Sequence, residues 1–527
     1  GCANLKSVDM SGWILPDNTN FANFMSNQGS LHTVRVIGWS AINIQNLCGA
    51  IGTYVGGTIY GDVIIDETYL QNDWVYDNVL VIAKYTANAT GVLPGFNTDF
   101  TGYTTGETNN GDGTYTVSIA TDSLDNLPTQ ISFTNKNNLL TVDKLNTSKV
   151  TTMHQMFRSC QNLTRINCRL DTSSVTNEIS QIFLGCSNLE YVDATNLVGS
   201  NIKYASGLFS SCTLLKQIDG LNTWDTGEVT NMSNMFNNCN NLTSLDISNW
   251  NTTKVTDIGS MFRGCKSLTN LHVPKLCTDK ITNIALVFHQ CEKLETITGL
   301  ETWDTSNVTK MGEDGWQASG TFQQCKSLKA LDISNWDLSK CKIMYKTFAD
   351  CEALETLKVN FTGSKPTIIT NLFSGIKKLS EIQGLNTLDI SEVTDMAGIF
   401  AYCTSLTSDA LACTANWKLP SKSQSLFMGC ESLTTANFAS NWDVSDVIYM
   451  KQLFYGCKQL TQVNLSKWNV SKALELQNMF DGCGKLTELK INFTVNNANL
   501  NAFISGCSSL TDTSNMVLSG TTSDINY

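Results

Sequence analysis

Residues 241–265 read NLTSLDISNWNTTKVTDIGSMFRGC, and the same frame returns as SLKALDISNWDLSKCKIMYKTFADC at 327–351 and as QLTQVNLSKWNVSKALELQNMFDGC at 459–483. Its landmark phenylalanine falls at 157, 183, 209, 236, 262, 288, 322, 348, 373, 400, 427, 454, 480 and 503. Of the thirteen intervals between these positions, eleven are 25, 26 or 27 residues; the exceptions are 34 (Phe288 to Phe322) and 23 (Phe480 to Phe503). A period held this strictly is the signature of a repeat array, in which each unit is too small to bury its own apolar side chains and does so by stacking on the next.

Within one unit, Leu242, Leu245 and Ile247 alternate as in a short strand. Ser248 and Asn249 supply a turn, and Trp250 follows. Thr256 sits where a helix N-cap would, and Val255, Ile258, Met261 and Phe262 have the spacing of a helical stripe. Cys265 and Leu268 close the unit. The expected fold is therefore an α/β repeat solenoid, a leucine-rich-repeat-like stack of short parallel strands and short helices. At about 4.8 Å per strand, 14 units would form an array roughly 65 Å long.

Working outward, the array occupies residues 136–527. Residues 1–65 carry about two degenerate units, with Trp13 and Trp39 as their tryptophans and Phe24 and Leu47 near the stripe positions. Residues 66–135 lose the period; runs such as VLVIAKY (79–85) and TYTVSIA (114–120), with the turn signal Asn-Asn-Gly-Asp-Gly at 109–113, predict a small β-rich insertion domain. Gly1-Cys2-Ala3-Asn4-Leu5 matches the middle of a unit, so the natural chain is expected to continue upstream, where an export signal would lie. Charged residues make up 16% of the 527 and the net charge is -12, with no run of five lysines or arginines, which argues against a nucleic-acid-tracking face. No apolar stretch reaches 18 residues, so direct membrane insertion by a helix is not expected.

Thirteen of the 19 cysteines hold one place per unit: Cys160, Cys186, Cys212, Cys239, Cys265, Cys291, Cys325, Cys351, Cys403, Cys430, Cys457, Cys483 and Cys507, with Cys2 as a fourteenth. Paired C-x-x-C spacing is absent, so a zinc site is not expected. Neighbouring strands are near enough for disulfides, yet Ile376 takes the cysteine's place in its unit, which favours a column of small buried side chains. Trp224, Trp250, Trp303, Trp336, Trp442 and Trp468 share another position, with Trp417 close to it. That register favours a structural aromatic column over a stacking platform for sugars or bases. His32, His154, His272 and His289 are scattered, in no metal or catalytic spacing, and read as surface or incidental residues. The sequons at Asn231, Asn251, Asn307 and Asn469 are accounted for by turn chemistry rather than glycosylation. The 34-residue interval holds a surplus within 311–320, MGEDGWQASG. Insertions in solenoids map to loops, often on a binding face, so Glu313, Asp314 and Trp316 are the candidate ligand-binding residues. A neutral surface insertion is the alternative reading.

The consensus L-D-I-S-N-W-[DN]-T-[ST]-x-V-T-x-M-x-x-M-F-x-x-C-x-x-L resembles the repeat of BspA-type leucine-rich repeat surface proteins, most closely at 222–242, NTWDTGEVTNMSNMFNNCNNL. The resemblance is strong over 137–510, weak over 1–60 and absent over 66–135. It implies an exported, non-enzymatic protein of a bacterial cell surface that adheres to a protein or glycan ligand on another cell or host matrix. It transfers no catalytic residue, cofactor or metal. A phage tail-fibre or capsid appendage built from the same repeats is the other expectation.

Overall fold

The computed structural model describes residues 7–9, 33–35, 57–60, 74–76, 79–86, 95–96, 103–121, 128–195, 197–275, 280–313 and 319–524. From residue 128 onward the chain winds as a β-solenoid of about 14 turns. Each turn has three runs, and each run lies directly over its equivalent in the turn before.

The first run is a short strand. Arg165–Ile166 pairs in parallel with Tyr191–Asp193, and that strand with Gln217–Asp219. Asn270–His272 pairs with Thr296–Thr298, Ala330–Asp332 with Thr356–Lys358, and Gln462–Leu465 with Glu488–Asn499, which in turn pairs with Met516–Asp524. The registers set Leu331 against Leu357 and Val463 against Leu489, so like apolar residues meet like and point inward together. The second run makes single parallel bridges, among them Asn231↔Asp257, Ile343↔Ile368 and Tyr449↔Glu475.

The third run carries the landmark phenylalanine and corrects the sequence reading. No α-helix forms among the described residues; the only helical elements are short 3-10 turns such as Leu221–Thr223 and Asp409–Thr414. The Val255–Phe262 segment is instead a chain of tight turns. In the equivalent run one turn earlier every second N–H is donated to this segment: Met232 N to Asp257 O (2.9 Å), Asn234 N to Gly259 O (2.9 Å), Phe236 N to Met261 O (2.9 Å) and Asn238 N to Arg263 O (2.7 Å). The intervening N–H groups close β-turns, Asn237 N to Asn234 O and Cys239 N to Phe236 O, both 3.1 Å. Asn238 (φ 60) is left-handed at the third residue of the Phe236–Cys239 turn, as a type II turn requires, and Asn234 (φ 56) is left-handed as well. A helix tolerates neither the left-handed residues nor donors committed to a neighbouring chain segment. The three-residue apolar spacing that suggested a helix arises equally from consecutive turns. Thr256 caps nothing; its Oγ1 donates to Thr230 O at 3.1 Å.

The residue before the column cysteine has positive φ in all fourteen turns from Ser159 to Gly506, and in seven it is glycine. The turn geometry therefore repeats even where the side chain does not favour it.

At its N-terminal edge the parallel sheet is continued by antiparallel strands. Leu139–Leu145 pairs with Arg165–Ile166 on one side and, antiparallel, with Val79–Tyr85 on the other. Tyr115–Thr121 and Tyr103–Asn109 follow in the same sheet. The 109–113 segment is the turn of their hairpin, with Gly111 (φ 76) and Gly113 (φ 82) left-handed and Asn109 Oδ1 accepting from Gly111 N at 2.9 Å. Ser7–Asp9, Thr33–Arg35, Gly57–Tyr60 and Trp74–Tyr76 form a separate parallel sheet. Trp13, Phe24, Trp39 and Leu47 lie outside the described residues.

Inside the coil one apolar cluster runs unbroken from Leu80 to Phe503. Its axis is the phenylalanine column. From Phe157 to Phe480, successive rings stack with centroids 5.3–5.9 Å apart and planes within 10° of parallel. Phe133 extends the stack below Phe157 at 5.0 Å, and Phe503 ends it edge-on to Phe480 at 83°. Offset stacking at this spacing adds about 0.5–1.5 kcal/mol per pair beyond area burial.

Candidate binding surface

The repeated side chains are directed inward. Cys160, Cys186, Cys212, Cys239, Cys265, Cys291, Cys325, Cys351, Cys403, Cys430, Cys457 and Cys483 are all buried, and the cysteines of the described residues are free thiols. Each donates its S–H to the carbonyl of a phenylalanine in the preceding turn, Cys160 to Phe133 O (2.9 Å) and the rest to the landmark series: Cys186 to Phe157 O (3.0 Å), Cys265 to Phe236 O (3.2 Å), Cys351 to Phe322 O (3.2 Å), Cys483 to Phe454 O (3.2 Å). Burial pushes the Cys291 and Cys351 thiols up to about 12. A thiol so far from ionising is neither nucleophile nor metal ligand. Ile376 occupies the cysteine place as a fully buried residue.

The tryptophans form a second internal column. Trp224 stacks on Trp250 (5.4 Å), Trp303 on Trp336 (5.8 Å) and Trp442 on Trp468 (6.2 Å). Each indole N–H donates to a backbone oxygen in an earlier turn: Trp224 to Ala194 (2.7 Å), Trp250 to Leu221 (2.9 Å), Trp303 to Pro274 (3.2 Å), Trp336 to Leu300 (2.9 Å), Trp442 to Thr414 (2.7 Å) and Trp468 to Ala439 (2.9 Å). With exposures of 2–8%, these faces cannot receive a ligand.

Outward columns are largely self-paired. One position after the column cysteine, charges alternate from turn to turn: Lys266 meets Glu292 (3.2 Å), which also meets Lys326 (3.5 Å), and Lys377 meets Glu352 (2.6 Å). A second outward column pairs Lys216 with Glu190 and Lys329 with Glu295. Stacked residues of a parallel ladder are near neighbours, so like charges in one column would repel. The sequon asparagines serve turns: Asn231 Oδ1 accepts from Ser233 N (2.9 Å) and Asn251 Oδ1 from Thr253 N (3.1 Å).

The uniform rod is interrupted at 312–320. Gly312 and Gly320 form an antiparallel bridge, and Glu313 N donates to Ser319 O at 2.9 Å. The chain therefore leaves and re-enters the coil side by side, at the paired base of a hairpin formed by Gly312–Glu313 and Ser319–Gly320. Its base lies flat on the next turn: a Cβ at Gly312 would collide with Tyr345 O, and one at Gly320 with Lys346 O. Two fully buried threonines serve it. Thr321 Oγ1 donates to Met311 O (2.7 Å) and lies 3.1 Å from Ile284 O; Thr347 Oγ1 reaches Met344 O (2.9 Å) and Met311 O (3.3 Å). They stand where other turns carry Met156, Leu208, Met235, Leu372 or Met479. Glu313 is held from the coil by Asn283 Nδ2 at 2.7 Å, with Lys310 Nζ 3.9 Å away. Of the three residues expected to contact ligand, Glu313 is thus placed at the hairpin base; Asp314 and Trp316 lie outside the described residues.

Sequence reasoning missed the support of this hairpin: the two glycines, Asn283, and the paired threonines. The threonines were detectable as the only hydroxyls in a column of apolar residues. It also misread His289. That residue is 5% exposed, not at the surface, with its Nδ1 buried and unpartnered. Burial, and then the Arg263 guanidinium, hold its pKa down to about 4. His154 and His272 are exposed, next to Glu178 (3.1 Å) and Thr298 Oγ1 (2.9 Å). Among the described residues no group of three His, Cys, Asp or Glu side chains could hold a metal ion, and no helix is long and apolar enough to cross a membrane.

Matches at 126–219, 177–295, 203–320, 269–381, 316–432 and 415–516 place the chain in the family described as Mycoplasma protein of unknown function, DUF285; the chain belongs to that family. No curated protein matches it. Among solved structures, it is similar to a leucine rich cell surface protein from Faecalibacterium prausnitzii A2-165 (17% identity, TM-score 0.30, covering 60% of this chain and 83% of that one). It is also similar to an LRR protein of Leptospira interrogans (14% identity, TM-score 0.27, covering 95% and 91%).

Proposed function

We propose that this chain is a non-enzymatic binding protein displayed outside a bacterial cell, and that it captures a protein or glycan ligand on another cell or host matrix through the hairpin at 312–320. The observation that carries this reading is the construction of the hairpin. The repeated cysteines and tryptophans are turned inward, and many of the outward charges are paired with a neighbouring turn. Here two glycines, two buried hydroxyls and an Asn–Glu hydrogen bond are given over to fixing the base of one hairpin. A neutral insertion would need none of them, because surface loops lengthen at little cost. Glu313, Asp314 and Trp316 offer the ligand two carboxylates and an aromatic ring, the residue types that serve as polar and stacking contacts. The likeness of the repeat to BspA-type surface proteins supports the extracellular setting.

The test has two arms. Purified chain is applied to arrays of immobilised extracellular-matrix proteins and of glycans, beside a variant in which 313–319 are deleted and Gly312 is joined to Gly320. Saturable binding lost in the variant is the expected result; undiminished binding by the variant, or none by the parent on either array, overturns the reading. Antibody against the chain should label intact cells of the source organism, and labelling only after lysis would remove the extracellular setting.

A further inference from the structure

Tyr402 stands in the column immediately before the column cysteine, where every other turn carries glycine, serine, asparagine, glutamine or aspartate. It is the one aromatic residue of that column, and its backbone is left-handed (φ 60), a conformation that bulky residues rarely adopt. It is also 47% exposed. The ring rests on the next turn of the coil. A Cβ at Gly429 would fall 2.7 Å from Tyr402 Cδ1, and the phenol hydroxyl lies 3.7 Å from Met428 Sδ. One side of the tyrosine is thus seated on the backbone of Gly429, and the rest faces solvent.

Met428 and Tyr455, half-exposed on successive turns, stand on one margin of this patch. On the other margin Glu431 and Lys458 form an ion pair at 2.7 Å, with both side chains well exposed. Beyond Gly429 the column continues as Gly456, Gly482 and Gly506, so three further turns, about 14 Å of rod, carry no side chain along this line.

We propose that this patch is a second binding site, for an uncharged polysaccharide, with one sugar ring stacked on Tyr402 and the polymer running along the rod past Tyr455. A residue held in an unfavourable backbone conformation persists where its side chain serves a purpose, and a half-exposed aromatic ring serves best as a contact face with a polar tip. The rim decides the occupant. Its acid and its base already neutralise each other, and the whole chain carries a net charge of -12, so nothing here attracts an acidic polymer. What fits is a ligand with an apolar face for the ring and hydroxyl groups at its edge for the Glu431 carboxylate and the Lys458 ammonium, which describes a pyranose. The site does not rest on the hairpin, because Tyr402 lies three turns further along the coil (Phe322 to Phe400).

The test is native electrophoresis of the full chain through gels cast with xyloglucan, galactomannan or mixed-linkage β-glucan. Serum albumin is the non-binding reference and a polygalacturonate gel the charged comparison. At least one neutral polymer should retard the parent chain, and the chain lacking 313–319 equally. Tyr402→Gly should weaken that binding by about tenfold or more, the scale of losing one stacking ring. Glycine suits the left-handed backbone, so this variant should keep the parent's thermal midpoint or exceed it. Tyr402→Phe should retain most of the retardation. Gly429→Asn, a residue the column accepts at Asn238, sets a side chain against the ring and should weaken binding with Tyr402 unchanged; it serves as the test if Tyr402→Gly fails to fold. The inference is overturned by a parent that no neutral polymer retards, by retardation that survives both Tyr402→Gly and Gly429→Asn, by retardation that disappears with the hairpin, or by retardation in polygalacturonate alone.

Discussion

Phe183→Ala tests the spine at a site with no exposure and two stacking partners, Phe157 at 5.6 Å and 1° and Phe209 at 5.4 Å and 6°. Burying a phenylalanine removes about 150–250 Å² from water. At about 25 cal/mol per Å², and after allowing for the alanine that remains, the lost transfer term is about 3 kcal/mol. Two broken ring stacks and a void that the flanking turns fill only partly raise the cost to about 4 kcal/mol, within the usual range for such a truncation. In a stacked array this loss falls on two neighbouring interfaces and not on the whole molecule. Urea unfolding should therefore change shape: the turns before Phe183 lose their support and melt first, and the later turns melt near their original midpoint. Hydrogen exchange supplies the spatial readout, through peptides from 139–170 against peptides from 430–480. A cost below about 1 kcal/mol, or equal loss of protection at both ends, would refute the reasoning, because the turns would then not be stabilised by their nearest neighbours.

Thiol titration of native protein should find Cys413, the exposed cysteine among the described residues, reactive and the buried column silent; after unfolding without reductant the column should titrate as free thiols, and a missing fraction there would contradict the S–H···O geometry. Glu292→Lys places three lysines in succession with Lys266 and Lys326; because all three sites are partly exposed, the loss should be about 1 kcal/mol at low salt and should shrink in 1 M salt. Trp336→Phe keeps most of the ring stacking on Trp303 but leaves Leu300 O without its 2.9 Å donor, for a cost of about 1–2 kcal/mol in thermal or urea unfolding. Gly384→Ala forces a side chain into a left-handed residue (φ 95) against Val359 O and should destabilise by about 1–3 kcal/mol, whereas Gly113→Ala, left-handed but in open space, should cost less.

The period was legible in the sequence because stacking favours it: a phenylalanine that returns once per turn, at 25–27 residues in eleven of the thirteen intervals, lies on the previous one. What the period could not convey was the backbone between landmarks. Val255, Ile258, Met261 and Phe262 have the spacing of a helix and also of successive three-residue turns. The discriminating signal lay in the residue before the column position, which has positive φ and in ten of the fourteen turns is glycine, serine or asparagine, as in Gly185, Ser211 and Asn238. Glu313 was identifiable from the broken interval, since an insertion in a strict array marks itself. His289 was not. Its burial arises only once neighbouring turns are laid over one another, and nothing local to Phe288-His289-Gln290 records it. The alternation of Lys266, Glu292 and Lys326 has the same character, becoming visible only when successive turns are laid over one another.

Stacking in register is the central claim, and distance measured against turn number tests it directly. Spin labels introduced as noncanonical residues at Lys216, Lys329 and Thr487, which share one exposed column, are separated by four turns (Phe209 to Phe322) and six turns (Phe322 to Phe480). Double electron–electron resonance should give distances of about 19, 29 and 48 Å for the three pairs, in proportion to the turns between them at about 4.8 Å each. Distances that do not grow with turn number would contradict the solenoid and the binding surface built upon it.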